Sequence, residues 1–197
     1  MPNWCSCQLN ISSNNIEDIK NFKKLLNQKN MYGEDTYFSL HPFLPVPLNS
    51  FLGNESNTKS ILYKEDVQYL TNEVINDTLS KKNDAIIDNI YSWIDKNWSC
   101  RECDNGCVQI DEESFLCISF ITPWTYPEEW LKNVSKLYPN IGFTIAFSET
   151  GCGFYGYAHA KNGELEDFTF DMEADAFDED GIPHGEYGYF MSEYNYL

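Results

Sequence analysis

The chain has 197 residues, 42% apolar and 16% aromatic, which is enough to bury one good core and too ring-rich for disorder over most of its length. Thirty-one acids against thirteen bases leave a net charge of −18. That balance argues against direct binding to nucleic acid or an anionic membrane, since both are held by Lys and Arg. No apolar run approaches the roughly 18 residues of a membrane span.

The start carries no basic region followed by an apolar stretch. Seven cysteines, an odd count, are therefore expected as reduced thiols in a cytoplasm.

In chain order, Cys5, Cys7, Leu9 and Ile11 alternate with Ser6, Gln8 and Asn10, the period of a half-buried strand. The Cys5, Cys7 and Leu9 side chains are expected to face helices, with Trp4 on the other side. The run Ser12 to Asn15 can cap a helix over about 15–29, with Ile16, Ile19, Phe22 and Leu26 on one face. Residues 35–47 read as a strand ending in prolines. Residues 63–98 look helical, and 48–113 are expected as a helical insertion.

Residues 114–122 are apolar on both faces and suit a central strand. Pro127, Glu128 and Glu129 open a helix over 127–138. Residues 141–149 form a strand, and 153–172 read as two strands joined at Asn162-Gly163. A strand-helix-strand unit used twice predicts an α+β ferredoxin-like sandwich, an antiparallel sheet with helices on one face. The first strand is then central, and 1–197 is a single domain.

Several stretches suggest chemistry. Cys100, Cys103 and Cys107 have CxxCxxxC spacing, and zinc would need a fourth ligand from Cys5, Cys7, Cys117, Cys152 or a histidine. Residues 171–182 fail as a calcium loop, because Ala176 and Ile182 stand where Gly and Glu are required. A solvated acidic face is expected there, with Phe168, Phe170 and Met172 inward. Residues 153–159 have rings like an RNA-recognition strand, but Cys152 stands where Lys or Arg is needed. The glycines are expected to let neighbouring rings pack close.

His41, His159 and His184 are scattered. Glu149, at a strand end, is either a general base or a turn-capping acid before Gly151.

After Lys161 there is no Lys or Arg, while 162–197 holds eleven acids among many rings. These residues are expected to form the last hairpin strand and a tail.

Four short blocks resemble the YubB-like proteins, a family encoded by phages and plasmids that carries a ferredoxin-like domain. Asn3, Trp4 and Cys5 match its N-W-C block. Asn97 and Trp98 match the start of N-W-G-T-K-W-D, from which residues 99–102 depart. Phe120, Thr122, Trp124 and Pro127 match F-x-T-x-W-S-P-P. Glu149, Gly151, Phe154 and Gly156 match E-x-G-x-x-F-x-G. The resemblance spans 3–156 and implies the fold and a mobile-element origin; it supplies no catalytic residue. The family pattern has no cysteine at 100–107, so reduced loop thiols and no cofactor are expected there rather than zinc.

Together these readings lead to a non-enzymatic protein of a phage or mobile element. Its acidic face, through Asp171, Glu173, Asp175, Phe177, Asp178, Glu179 and Asp180, is expected to bind a basic host protein. The concrete form is inhibition of a nucleic-acid-binding defence complex, in the manner of a nucleic-acid mimic or anti-CRISPR protein. The alternative is a metal-dependent hydrolase using Glu149 and the carboxylates at 171–180.

Overall fold

The computed structural model describes residues 3–47, 84–172, 176–183 and 185–194, with the side chains at 84–87 and 193–194 left out. Six strands form one antiparallel sheet: β1 (Trp4–Ser12), β2 (Asp104–Asp111), β3 (Phe115–Pro123), β4 (Gly142–Glu149), β5 (Phe154–Lys161) and β6 (Glu164–Asp171). Their spatial order is β2-β3-β1-β4-β5-β6. Four described helices accompany them: α1 (Ile16–Lys23), α2 (Asp84–Trp98), α3 (Glu128–Leu137) and α4 (Gly185–Tyr194).

The first four strands have the ferredoxin-like order, and the β5–β6 hairpin widens the sheet past β4. β1 is central, paired antiparallel with β3 on one edge and β4 on the other.

The period-two pattern of β1 holds. Cys5, Cys7, Leu9 and Ile11 are buried under the helices, and Trp4 is exposed. They join Leu116, Ile118 and Phe120 of β3 and Phe143, Ile145 and Phe147 of β4 in one core with Phe22, Trp98 and Trp130. Asn15 caps α1 by accepting from the Glu17 N–H at 3.2 Å. α1 stops short of the expected residue 29 because Asn27 turns to φ 55 and its N–H bonds to the Tyr37 carbonyl at 2.8 Å.

Two expectations about the first crossover are corrected. Residues 35–47 are not a strand. Pro42, Pro45 and Pro47 lack the N–H a ladder needs. The segment instead buries Phe38, Leu40, Phe43 and Val46 as a loop. Its backbone groups pair with side chains: Trp130 Nε1 donates to the Leu40 carbonyl at 3.0 Å, and Trp98 Nε1 to that of Leu44 at 3.1 Å. The buried Glu102 carboxylate accepts from the N–H groups of Leu40 (2.7 Å), Cys103 (3.2 Å) and Met31 (3.3 Å). Burial pushes that carboxyl up, and the amide bonds only partly offset it.

The second correction concerns the insertion expected at 48–113. Residues 104–111 are β2, an edge strand of the sheet, and α2 packs Ile90, Ile94 and Trp98 into the core. The helical reading of 63–83 lies outside the described residues.

α3 has no side-chain cap of its own, and Ser99 Oγ accepts from the Glu129 N–H at 3.2 Å. Asn162 and Gly163 both take positive φ, as a two-residue hairpin requires. The Gly163 N–H donates to Ser135 Oγ at 3.0 Å, tying the β5–β6 turn to α3.

The C-terminal stretch is not simply a strand and tail, since it includes α4. α4 lies on the sheet face opposite the other helices. There Tyr187 and Phe190 pack with Ala146, Tyr155 and Ala176 in a second, smaller cluster. Phe168 and Phe170 also point to that face, where they pack on Tyr157 and Tyr155 and stay half exposed; the alternation along β6 is as read, but the rings turn toward α4 and not toward the main core.

Two outcomes are expected. Gly156 has room for no more than hydrogen: a Cβ there would lie 2.2 Å from the Phe168 carbonyl oxygen and 2.9 Å from Phe147 Cζ. Gly156→Ala should therefore destabilise the protein by about 1–3 kcal/mol in chemical denaturation, and an unchanged midpoint would contradict this packing. Deleting residues 3–11 should abolish cooperative unfolding, since it leaves β3 and β4 with bare edges; a cooperative melt in the truncated chain would show that β1 is dispensable.

Candidate functional site

One end of the sheet gathers β1's start, β3's end and the β4–β5 turn. Three of the four sequence blocks meet there. The Asn3 carbonyl accepts from the Trp124 N–H at 2.8 Å, and Asn3 Nδ2 approaches Cys152 Sγ at 3.4 Å. Trp124 holds φ 73 and is 54% exposed, and Trp4 is 44% exposed.

Glu149 is buried and accepts from the N–H groups of Gly151 (2.7 Å) and Cys152. Gly151 lets these side chains close in, since a Cβ would sit 2.6 Å from Asn3 Nδ2 and 2.9 Å from Glu149 Oε1 and would push them aside. Burial pushes the Glu149 carboxyl up, but hydrogen bonds from the Cys152 thiol, the two amides and Asn3 outweigh it, so the net shift is downward. This is the turn-capping geometry. A carboxylate that is both depressed in pKa and engaged by donors is a poor proton acceptor near neutrality.

The fourth block serves the core. Asn97 Nδ2 donates to the Trp93 carbonyl at 2.7 Å, and Trp98 is fully buried against Trp93 and His41. Burial lowers the His41 pKa to about 4, which keeps the ring neutral at pH 7.

The three cysteines at CxxCxxxC spacing do not converge. Cys100 and Cys103 are buried on the helix side of the sheet, and burial pushes both thiols up. Cys107 is exposed on β2, in register with Ser119 of the opposite face. Among the described residues, no three His, Cys, Asp or Glu side chains are placed to hold a metal. All seven cysteines are free thiols. His159 is exposed, with its Nδ1 3.0 Å from Thr144 Oγ1, and His184, like Glu173 and Asp175, lies outside the described residues.

The acidic stretch divides. Asp171 closes β6. Asp178 organises the following loop, its Oδ1 accepting from the N–H groups of Ile182 (2.8 Å) and Asp180 (3.0 Å). Glu179 and Asp180 project into solvent. Phe177 packs edge-on against Tyr187 with ring centroids 5.4 Å apart.

No local pattern announces what α4 does beside them. It crosses the open sheet face and leaves a groove on each flank. One, of about 350 Å³, runs over Trp4, Gln8, Ser119 and Ser148 to Phe190 and Met191. The other, of about 540 Å³, lies against β5 and β6 and is lined by Tyr155, Tyr157, Phe170, Glu186, Tyr189 and Phe190. Tyr189 and Glu186 become recognisable only once α4 is seen as a helix.

Residues 97–182 match the model of the ferredoxin-like domain in Api92-like proteins. That span runs from the end of α2 through the acidic loop. The fold is also similar to the crystal structure of a protein Api92 from Yersinia pseudotuberculosis. The TM-score is 0.53 at 8% sequence identity, over 88% of this chain and 99% of that one. At that identity the likeness speaks for the fold alone. No curated protein matches the sequence. Among the described residues, no helix is long and apolar enough to cross a membrane.

The Glu149 geometry has a testable pH signature. A carboxyl depressed in the folded state contributes stability that is present above its unfolded value, 4.5, and is lost as pH falls through the lower folded value. Glu149→Gln should cost about 1–3 kcal/mol at pH 7, because it places an amide against two N–H donors. The deficit should shrink in denaturation measured toward pH 3. A deficit equal at both pH values would mean the carboxylate charge is not what holds the turn.

Proposed function

We propose that this chain is a non-enzymatic binding protein whose acidic, ring-bearing edge docks on a basic surface of a host protein. The observation that carries the reading is an acid-rich edge: Glu164, Glu166, Asp167, Asp171, Glu179 and Asp180 are all exposed, with Lys161 the base set across from Glu164. None of them joins an ion pair among the described residues, where the pairs found are Lys20–Glu17, Lys23–Asp111, Lys29–Asp35 and Arg101–Asp95. Such a field accelerates encounter with a basic surface and repels nucleic acid.

The concrete version is occupation of the basic groove of a nucleic-acid-binding defence complex. The YubB-like resemblance, with its mobile-element origin, and a reduced cytoplasmic setting for the free thiols belong to this same reading. The commitment of Glu149 to its turn removes the best single candidate for a general base, which favours binding over hydrolysis.

The test is capture of host proteins by the purified chain at low and high salt, with a parallel arm carrying Glu179→Lys and Asp180→Lys. Asp178 is left intact because its carboxylate holds the loop. A specific partner should be a basic, nucleic-acid-binding protein. Its association with the double variant should slow by about tenfold, with a smaller change in dissociation. Wild-type affinity should fall as salt shortens the reach of exposed charge to about 8 Å at physiological ionic strength. A partner that binds regardless of both charge reversal and salt would show that the acids serve solubility alone.

A further inference from the structure

We propose that the groove between α4 and the β5–β6 hairpin is a cage for the guanidinium of an arginine presented by a basic protein segment; this rests on the binding reading above and names its recognition element. The groove holds about 540 Å³, and its walls are rings: Tyr155, Tyr157 and Phe170 from the hairpin, Tyr189 and Phe190 from α4. Tyr155 lies 5.6 Å from Phe170 and 4.9 Å from Phe190, centroid to centroid, and Tyr157 lies 6.4 Å from Phe170. The interplanar angles of 33°, 53° and 39° tilt the rings against one another instead of stacking them flat. Phe170 is 43% exposed and Tyr189 69%, so ring surface remains open to an incoming group.

Rings alone would accept any apolar side chain. The charge around them decides the occupant. Glu186 supplies the charged side chain of the lining, and the chain beyond Lys161 contains no Lys or Arg to fill the cage from within. A cation within about 6 Å of a ring centroid is attracted to the negative π-face. Arginine suits better than lysine because its planar, weakly hydrated guanidinium stacks on a ring while its fork reaches a carboxylate. The exposed acids of β6, the strand that carries Phe170, would bring a basic segment to it. The protein already makes such a contact internally, with the Arg101 guanidinium 4.0 Å over the Tyr91 ring.

The test uses a fluorescein-labelled, amidated nonapeptide with three arginines, and the same peptide with citrulline at each arginine, which keeps the shape and removes the charge. Anisotropy titrations compare the wild-type chain with Phe170→Leu, Tyr189→Leu and Tyr189→Phe. The arginine peptide should bind and the citrulline peptide should not. Phe170→Leu and Tyr189→Leu should each weaken binding by about 2- to 30-fold, the range from an exposed to a desolvated cation–π contact. Tyr189→Phe, which keeps the ring, should stay within about twofold of wild type, and this separates loss of the π-face from loss of α4.

Equal binding of both peptides would overturn the cage and make the groove merely apolar. Arginine-peptide binding that falls with salt but ignores both ring deletions would overturn it too, while leaving the acidic docking reading standing. Failure of the wild-type chain to bind the arginine peptide would likewise overturn it. The docking reading is decided separately by the charge-reversal capture, which leaves these rings untouched.

Discussion

β1 is held by hydrogen bonds on both edges, and the architecture depends on that constraint. A strand paired with β3 on one side and β4 on the other has no free edge, so both of its faces are fixed from the first residues. One face carries Cys5, Cys7, Leu9 and Ile11 into the core, where Leu9 and Ile11 are fully buried. Each such aliphatic side chain contributes roughly 1.5–3 kcal/mol through its burial. Cysteine is used there as a small apolar residue that fits beneath rings, not as a ligand. The other face carries Trp4 and Gln8 to the open side. The same strand places Asn3 against the β4–β5 turn, which explains why residues at the start of the chain complete a turn beginning near residue 149.

The second constraint is the width of the sheet. α1, α2 and α3 cover one face, yet β5 and β6 carry the sheet past the ferredoxin-like order and leave a broad opposite face. α4 covers part of it, burying Tyr187 and Phe190 against Ala146 and Tyr155. A ten-residue helix cannot cover six strands, so rings on either flank stay half in water. β6, as the outermost strand, would invite pairing with another chain if it were apolar. Its acids make that pairing costly between copies of this protein and leave it open to a basic partner. Charge that disfavours edge pairing between like copies would, on the binding reading proposed above, also select what docks there.

Much of this was legible in the sequence, and the failures have physical causes. The alternation in β1, the Asn162-Gly163 turn and the Pro127-Glu128-Glu129 helix start are local signals, and each holds. β2 was missed because it is an edge strand with few buried positions, two register shifts and a Gly, so it shows almost no hydrophobic period. Residues 35–47 resembled a strand because they are apolar, but their backbone is satisfied by Glu102, Trp98 and Trp130, which lie far away in sequence. That Phe168 and Phe170 turn toward α4 and not the main core could not be read, because alternation gives the period of a strand and not which layer it faces; that is set by pairing with β5. α4 carries Gly185 and Gly188, poor helix formers, and is stabilised by packing that no local pattern reveals.

The division between motif and groove bears directly on function. The short sequence blocks hold the molecule together: Asn3, Trp124, Glu149 and Gly151 close the sheet's end, Trp98 fills the core, and Gly156 admits Phe147. Residues that must satisfy a buried turn or fit under a ring are constrained by the fold, whatever the protein binds. Among the candidate recognition groups, Tyr155 and Phe190 are held by the second cluster, whereas Tyr189 and Glu186 are not. Tyr189 is mostly in solvent and Glu186 is exposed, so the fold would tolerate other residues at both positions. The match to the Api92-like domain ends at residue 182, before either of them. Two proteins can therefore share this architecture at 8% identity and present different surfaces, since the requirements of the sheet reach Tyr187 and Phe190 of α4 but not its exposed Glu186 and Tyr189.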